Sequence, residues 1–184
     1  YSDLPSLVLG LADVLGEQLG EIGAEVIQVD EANVTGHAED AEIAAEGINQ
    51  LLRNVKTEKA VHLCFGNYGG QVVQKGTYEK LIQFLNQLDV DHVVLEMARR
   101  PEHELPMLAD VKPEIGLGIG VIDIKDNVVE TPEEVARRIE LAVNQLGEER
   151  IRYVHPDCGF WMLPRSVADA KMQNLVKGRN LFSG

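Results

Sequence analysis

The sequence predicts an α/β fold built on a parallel sheet, and three observations carry that prediction. Short apolar runs of strand length alternate along the chain with segments of helical periodicity. The polar residues of those strands gather at their C-terminal ends. The composition, 45% apolar and 26% charged over 184 residues, is that of a single domain, or part of one, able to bury a sizeable core.

The elements follow in order. Leu7 to Ile22 has helical periodicity and stops at Gly23. Val26-Ile27-Gln28-Val29-Asp30-Glu31 is an apolar run ending in acids, a short buried strand. Glu39 to Val55 reads as a helix, and Ala60 to Phe65 as a strand closed by Gly66-Asn67. Beyond a loop rich in glycine (Gly69, Gly70, Gly76), Tyr78 to Leu88 is a predicted helix and His92 to Glu96 a strand. Pro101 to Leu108 is a short helix, and Ile115 to Ile124 contains a strand ending at Asp123. Thr131 is a natural helix cap with Pro132 at the first helical position, opening a helix to Leu146. Ile151 to His155 is a strand stopped by Pro156, and a last helix runs from about Ser166 to Leu175. No repeat beyond the helix–strand unit, no low-complexity segment and no linker divides the chain, so residues 1–184 are expected to form one unit.

The charge narrows the partners. A formal net charge of −13 repels phosphates, which argues against nucleic acid and against an anionic membrane surface. No apolar run reaches the roughly 18 residues of a membrane span, and Tyr1-Ser2-Asp3 lacks the basic start of a signal peptide. Two cysteines separated by 93 intervening residues offer no disulfide framework, so a reducing, cytoplasmic compartment is expected.

The chemistry is concentrated at strand ends. Asp30 and Glu31 end the first strand, His62 and Cys64 the second, Glu96 the third and Asp123 the fourth; Cys158 follows the fifth. That is the end where α/β folds build sites. His62 and Cys64, two residues apart on a strand, share a face. An imidazole and a soft thiolate suit zinc. Cys158 adds a thiol, and Glu96 adds a carboxylate among Val93, Val94 and Leu95, where a lone charge needs a cation or a hydrogen-bond partner. Gly69-Gly70 could cradle an anion but lacks a phosphate-loop fingerprint. Of Arg99 and Arg100, one could hold a carboxylate. His37, His92 and His103 have no motif around them and are expected to be structural or exposed. Trp161 either walls the site or only packs, and Glu148-Glu149-Arg150 reads as a solvated turn.

The stretches Ile27-Gln28-Val29-Asp30-Glu31, His62-Leu63-Cys64, Leu95-Glu96-Met97-Ala98-Arg99, Gly120-Val121-Ile122-Asp123-Ile124 and Pro156-Asp157-Cys158-Gly159 together resemble the catalytic domain of cobalamin-independent methionine synthase. The Gly-Asn-Tyr-Gly-Gly loop after Cys64 and the tail from Trp161 to Leu181 look more like its shorter, single-barrel relatives. Those include enzymes that open epoxides with a thiol. The resemblance implies a (β/α)8 TIM barrel with zinc held by His62, Cys64, Glu96 and Cys158. It further implies methyl transfer from a reduced folate, 5-methyltetrahydropteroyl glutamate, to homocysteine. Asp30 matches the acid that clamps the amino group of homocysteine, with Glu31 beside it. Proton handling falls to Asp123 and Lys125, where Lys125 stands in place of a His that follows the Asp-Ile pair in the larger synthases. Two cysteinates and a carboxylate would leave a zinc site near −1, and Glu96 is the hardest of the ligands. An epoxide-opening thiol transferase and a non-catalytic zinc domain are the alternatives.

A barrel needs eight strands and this chain supplies five. The matches correspond to the fourth through eighth βα units, the C-terminal part of a single barrel. Such a piece is expected to be inactive alone. Its inner face, with Val29, Val61, Leu63, Val94 and Val154, is expected to be an apolar patch. A homodimer, or another polypeptide completing the barrel, would cover it.

Overall fold

Five parallel strands lie side by side in strict chain order in the computed structural model, which describes residues 1–67 and 71–183. They are β1 (Val26–Glu31), β2 (Glu58–Leu63), β3 (His92–Leu95), β4 (Gly116–Ile122) and β5 (Ile151–Pro156). Each new strand adds on the same side of the last. An open doubly wound sheet reverses direction midway; a barrel wall does not. The sheet is thus five consecutive staves of a TIM barrel.

The helices are α1 (Leu4–Glu21), α2 (Ala41–Leu52), α3 (Ile82–Leu85), α4 (Pro132–Leu146) and α5 (Arg165–Ser183). The first starts three residues earlier than its periodicity suggests, because Asp3 accepts from the Ser6 N–H at 2.9 Å and Ser6 caps back in a reciprocal box. Thr131 does the same with Glu134 at the head of α4. The segment 78–88 forms only a 3₁₀ turn, Tyr78–Lys80, and the single turn α3, and 101–108 forms two 3₁₀ turns, Glu102–Glu104 and Pro106–Asp110. Both segments are shorter than the length at which a helix is stable on its own. At the other extreme α5 runs eight residues past Leu175, packed along α4.

Alternation along the strands sorts the side chains into two populations. Val61, Leu63, Val93, Leu95, Leu117, Ile119 and Val121 join Ile48, Leu52, Leu85, Val135 and Ile139 from the helices in one core. Each fully buried leucine there contributes about 1.5–3 kcal/mol. The opposite face, the barrel interior, carries Asp30, His62, Val94, Gly118 and Tyr153 as one row of paired positions. This corrects the expected apolar interior. Val61 and Leu63 are wholly buried beneath the helices, Val29 and Val154 pack against that core, and only Val94 faces inward. The physical reason is parity: if His62 faces the interior, its neighbours on the strand cannot. Exposed apolar side chains gather instead on α1 (Leu4, Leu11, Val14, Leu15) and α5 (Met172, Val176, Leu181). The Gly69-Gly70 loop lies outside the described residues.

Candidate metal centre

His62 is the penultimate residue of β2 and Cys64 follows it by two residues, so both face the interior at the C-terminal rim. Glu96 follows β3 in the same relation to Val94, and Cys158 lies two residues past β5. One donor atom from each of these four residues falls within 4.8 Å of every other. The group could therefore hold a metal ion. The two sulfurs are 3.9 Å apart.

The donors are prepared from behind. His62 Nδ1 donates to the Val94 carbonyl at 3.0 Å, which leaves Nε2 to face the cluster as an acceptor. Among the described residues Nε2 is buried without a hydrogen-bond partner, and so is Glu96 Oε1. The other Glu96 oxygen, Oε2, accepts from Lys125 Nζ at 3.1 Å, in an ion pair whose side chains are 1% and 3% exposed. Two orphaned buried donor atoms beside two thiols are what a soft divalent cation would satisfy.

The charges agree with that arrangement. Cys64 and then the nearby His62 imidazole lower the Cys158 thiol below the ordinary thiol range. Cys64 is pushed up by its hydrogen bond to Cys158, by burial and by the charge of Glu96. Burial alone would disfavour the His62 imidazolium, but Cys158, the Val94 carbonyl and Asp30 outweigh it and raise its pKa. A cation entering here would displace protons from Cys64 and His62.

Loop supports hold the ligands in place. Gly66 donates to Cys64 Sγ at 3.2 Å from a backbone at φ 90°, a conformation that strains any other residue. Thr35 Oγ1 donates to the Cys64 carbonyl at 2.9 Å, and the Tyr78 hydroxyl donates to the Glu96 carbonyl at 3.1 Å. Asp157, 1% exposed, accepts from the Met97 and Ala98 N–H groups at 2.9 Å each and so fixes the turn that follows Glu96. Burial pushes its carboxyl up to about 7 in spite of those bonds. Its place exists because Gly120 is glycine: a Cβ there would sit 2.0 Å from Asp157 Oδ1. None of these supports is assigned by residue type alone. For Asp157 the available signal is an acid directly beside Cys158, on a strand end facing a glycine-rich neighbour strand.

The other sequence-predicted residues fall as follows. Asp30 pairs in register with His62 on the same face and accepts from Gln28 Nε2 at 2.8 Å. Glu31 is not brought to the cluster. It lines a groove against α1 and α2, and its Oε1 caps the turn by accepting from Asn33 and Val34 N–H at 2.5 and 2.8 Å. Asp123 accepts from the Lys125 N–H at 2.7 Å and meets Arg99 at 3.2 Å. Arg100 is held by Glu104 at 2.6 Å and lies over the Phe65 ring. Trp161 is 69% exposed in the loop after Cys158, and His37 and His103 are exposed.

Residues 5–179 match the family model described as the catalytic domain of cobalamin-independent synthase. The chain is 34% identical over 181 residues to a methionine synthase of Thermococcus kodakarensis, covering 97% of this chain and 50% of that protein. It is 32% identical over 184 residues to one from Sulfurisphaera tokodaii, covering 98% and 51%. The chain thus spans about half the length of these curated relatives. It also superposes on a B12-independent methionine synthase from Shewanella sp. W3-18-1, solved in complex with selenomethionine, with a TM-score of 0.84 at 23% identity, over 98% of this chain and 56% of that one. That likeness concerns the fold.

Proposed function

The chain belongs to the cobalamin-independent synthase family, and on that premise we propose that the polypeptide carrying it is a zinc-dependent methyltransferase. It moves a methyl group from 5-methyltetrahydropteroyl glutamate to homocysteine and releases methionine. The observation that carries this reading is the convergence of His62, Cys64, Glu96 and Cys158, with His62 Nε2 and Glu96 Oε1 left unpartnered. Residues 1–184 supply the last five βα units of the barrel as one piece without an internal boundary.

Bound there, zinc would supply the positive charge that makes a substrate thiol a thiolate near neutral pH. The chain's own residues do the rest. Asp30, beside His62 on the interior face, is the acid that receives the homocysteine amine. Glu31, turned to the helix side, takes no part in that clamp. Lys125 Nζ is bonded to Glu96 and shut off from solvent, so its charge serves the carboxylate. In this reading Asp123, with its side chain 16% exposed and Arg99 at 3.2 Å, serves proton transfer to the leaving folate nitrogen. Unpaired thiols this close suit a reducing compartment, the cytoplasm.

The test is a turnover assay on the full polypeptide with zinc, homocysteine and the methyl-folate, read as methionine by mass spectrometry. Zinc bound at one per chain with methionine formed supports the reading. Zinc bound without methionine, but with another thiol alkylated by an epoxide, would move the protein to the thiol-alkylating relatives. No zinc bound would overturn it.

A further inference from the structure

We propose that Lys125 is a positioning residue for Glu96: it holds one carboxylate oxygen so that the other is presented to the metal. The inference rests on the reading of His62, Cys64, Glu96 and Cys158 as ligands, and adds to it a residue outside that set.

Three features of the chain place Lys125 in this role. First, its Nζ reaches Glu96 Oε2 at 3.1 Å, and both side chains are almost wholly buried. A buried carboxylate with one oxygen bonded and one free has a single orientation in which it can act; here Oε1 is buried and, among the described residues, unpartnered, and a carboxylate oxygen of Glu96 belongs to the convergent group. Second, the backbone of Lys125 is itself pinned. Its N–H donates to Asp123 Oδ1 at 2.7 Å, and the Asp123 N–H in turn donates to Glu130 Oε1 at 2.8 Å. Third, Glu130 is anchored to α5: Lys171, whose side chain is 0% exposed, meets Glu130 Oε2 at 2.9 Å and also donates to the Val128 carbonyl. The loop between β4 and α4 is therefore tied at its start and its end. A long, flexible lysine side chain is held to one path by a framework that contains no metal ligand.

Charge alone makes the opposite demand. A lysine ammonium near a divalent cation repels it, so if Lys125 acted only as a nearby positive charge, removing it would tighten metal binding. As the residue that orients Glu96, its removal weakens binding, because the carboxylate loses its fixed geometry. Groups that bond to a ligating side chain typically govern affinity by about 10–100-fold. The sign of the effect separates the two roles.

The experiment measures zinc affinity by competition with a chromophoric chelator, on the full polypeptide, for the native protein, Lys125→Met, Lys125→Arg, Glu96→Gln and the Glu96→Gln/Lys125→Met pair. The expected result for Lys125→Met is a loss of about 10-fold or more, with Lys125→Arg, which keeps a charged donor, restoring part of it. In the Glu96→Gln background Lys125→Met should cause no further loss, since Lys125 acts through the carboxylate. Should Lys125→Met fail to fold with Glu96 left unpaired, Lys125→Arg still decides the matter, because it keeps the charge and changes only the fit to Oε2. Affinity below native in Lys125→Arg supports the assignment and native affinity overturns it; a further loss in the double variant also overturns it. Native or tighter affinity in Lys125→Met alone also overturns it, while leaving the metal site standing. A native protein that binds no zinc would instead remove the site itself.

Discussion

The two ends of the interior face are both polar, yet in opposite ways. At the N-terminal end Glu58, His92, Arg152 and Tyr153 occupy one another. The Tyr153 hydroxyl lies 3.2 Å from both Glu58 oxygens, Arg152 approaches at 3.6 Å, and His92 Nδ1 lies 3.0 Å from Glu58 Oε1 without a hydrogen bond of good geometry. At the C-terminal end His62 Nε2 and Glu96 Oε1 have no partner and two thiols stand side by side. A buried polar atom left unpaired costs about 1–3 kcal/mol. The lower end is built mostly from pairs, whereas the upper end carries a penalty that an added cation would relieve. Polarity alone does not mark a site on this sheet; unpaired donor atoms gathered beside two cysteines do.

The sharpest way to break that contrast is to remove a sulfur. Cys64→Ser or Cys158→Ser should strip zinc from the full polypeptide and abolish methyl transfer, whereas the exposed His37→Ala should do neither. Elemental analysis showing full zinc in both cysteine variants would end the ligand assignment. Next in size is Asp30→Asn. A charge-assisted hydrogen bond to the substrate amine is worth about 1.5–3 kcal/mol, so the KM for homocysteine should rise roughly tenfold or more with zinc retained. An unchanged KM would make Asp30 part of the scaffold.

The lower end sharpens the contrast from the other side. Glu58→Gln should cost on the order of 1 kcal/mol of stability and leave zinc content and KM as they were. Loss of zinc in this variant, measured on folded protein, would show that the two ends are not independent.

The order of these elements can be read from the chain because each strand is a short apolar run between capped helices. The convergence of His62, Cys64, Glu96 and Cys158 is suggested by strand ends alone, since parallel strands in register bring those ends to one rim. What the chain does not declare is which oxygen of Glu96 is free, that Lys125 holds the other, or that Glu31 turns away to cap Asn33 and Val34. Those depend on loop geometry several residues from any periodic segment. The inner-face valines differ from expectation for a related reason: hydrophobicity says that Val61 and Leu63 are buried, but not on which side. In this barrel wall the helix side is the apolar one and the interior carries the site.

The smallest effect expected is a pH dependence at the lower end. Burial is the leading influence on His92 and lowers its pKa, with Arg152 acting in the same sense and Glu58 and Asp91 opposing it. The unfolded chain, with an imidazole near about 6.5, therefore binds a proton at pH values where the folded His92 does not. Stability then rises with pH through that window and levels off above it, and acidification below about 6.5 erodes it. A single proton bound differently in the two states is worth at most about 1.4 kcal/mol per pH unit. His155, whose pKa burial also lowers, contributes in the same direction. Urea unfolding of the metal-free protein at pH 7.5 and 5.5 keeps acid release of zinc out of the measurement. Asp157 and His62, whose pKa values are raised, act in the opposite sense over this window, so the comparison between proteins is the test: on going from pH 7.5 to 5.5 the native protein should lose stability relative to His92→Gln, even if the variant is less stable at both. An identical change in the variant would mean that Glu58 holds the His92 proton in the folded state as firmly as water does in the unfolded one, and the lower end would then be an ion pair rather than a neutral contact.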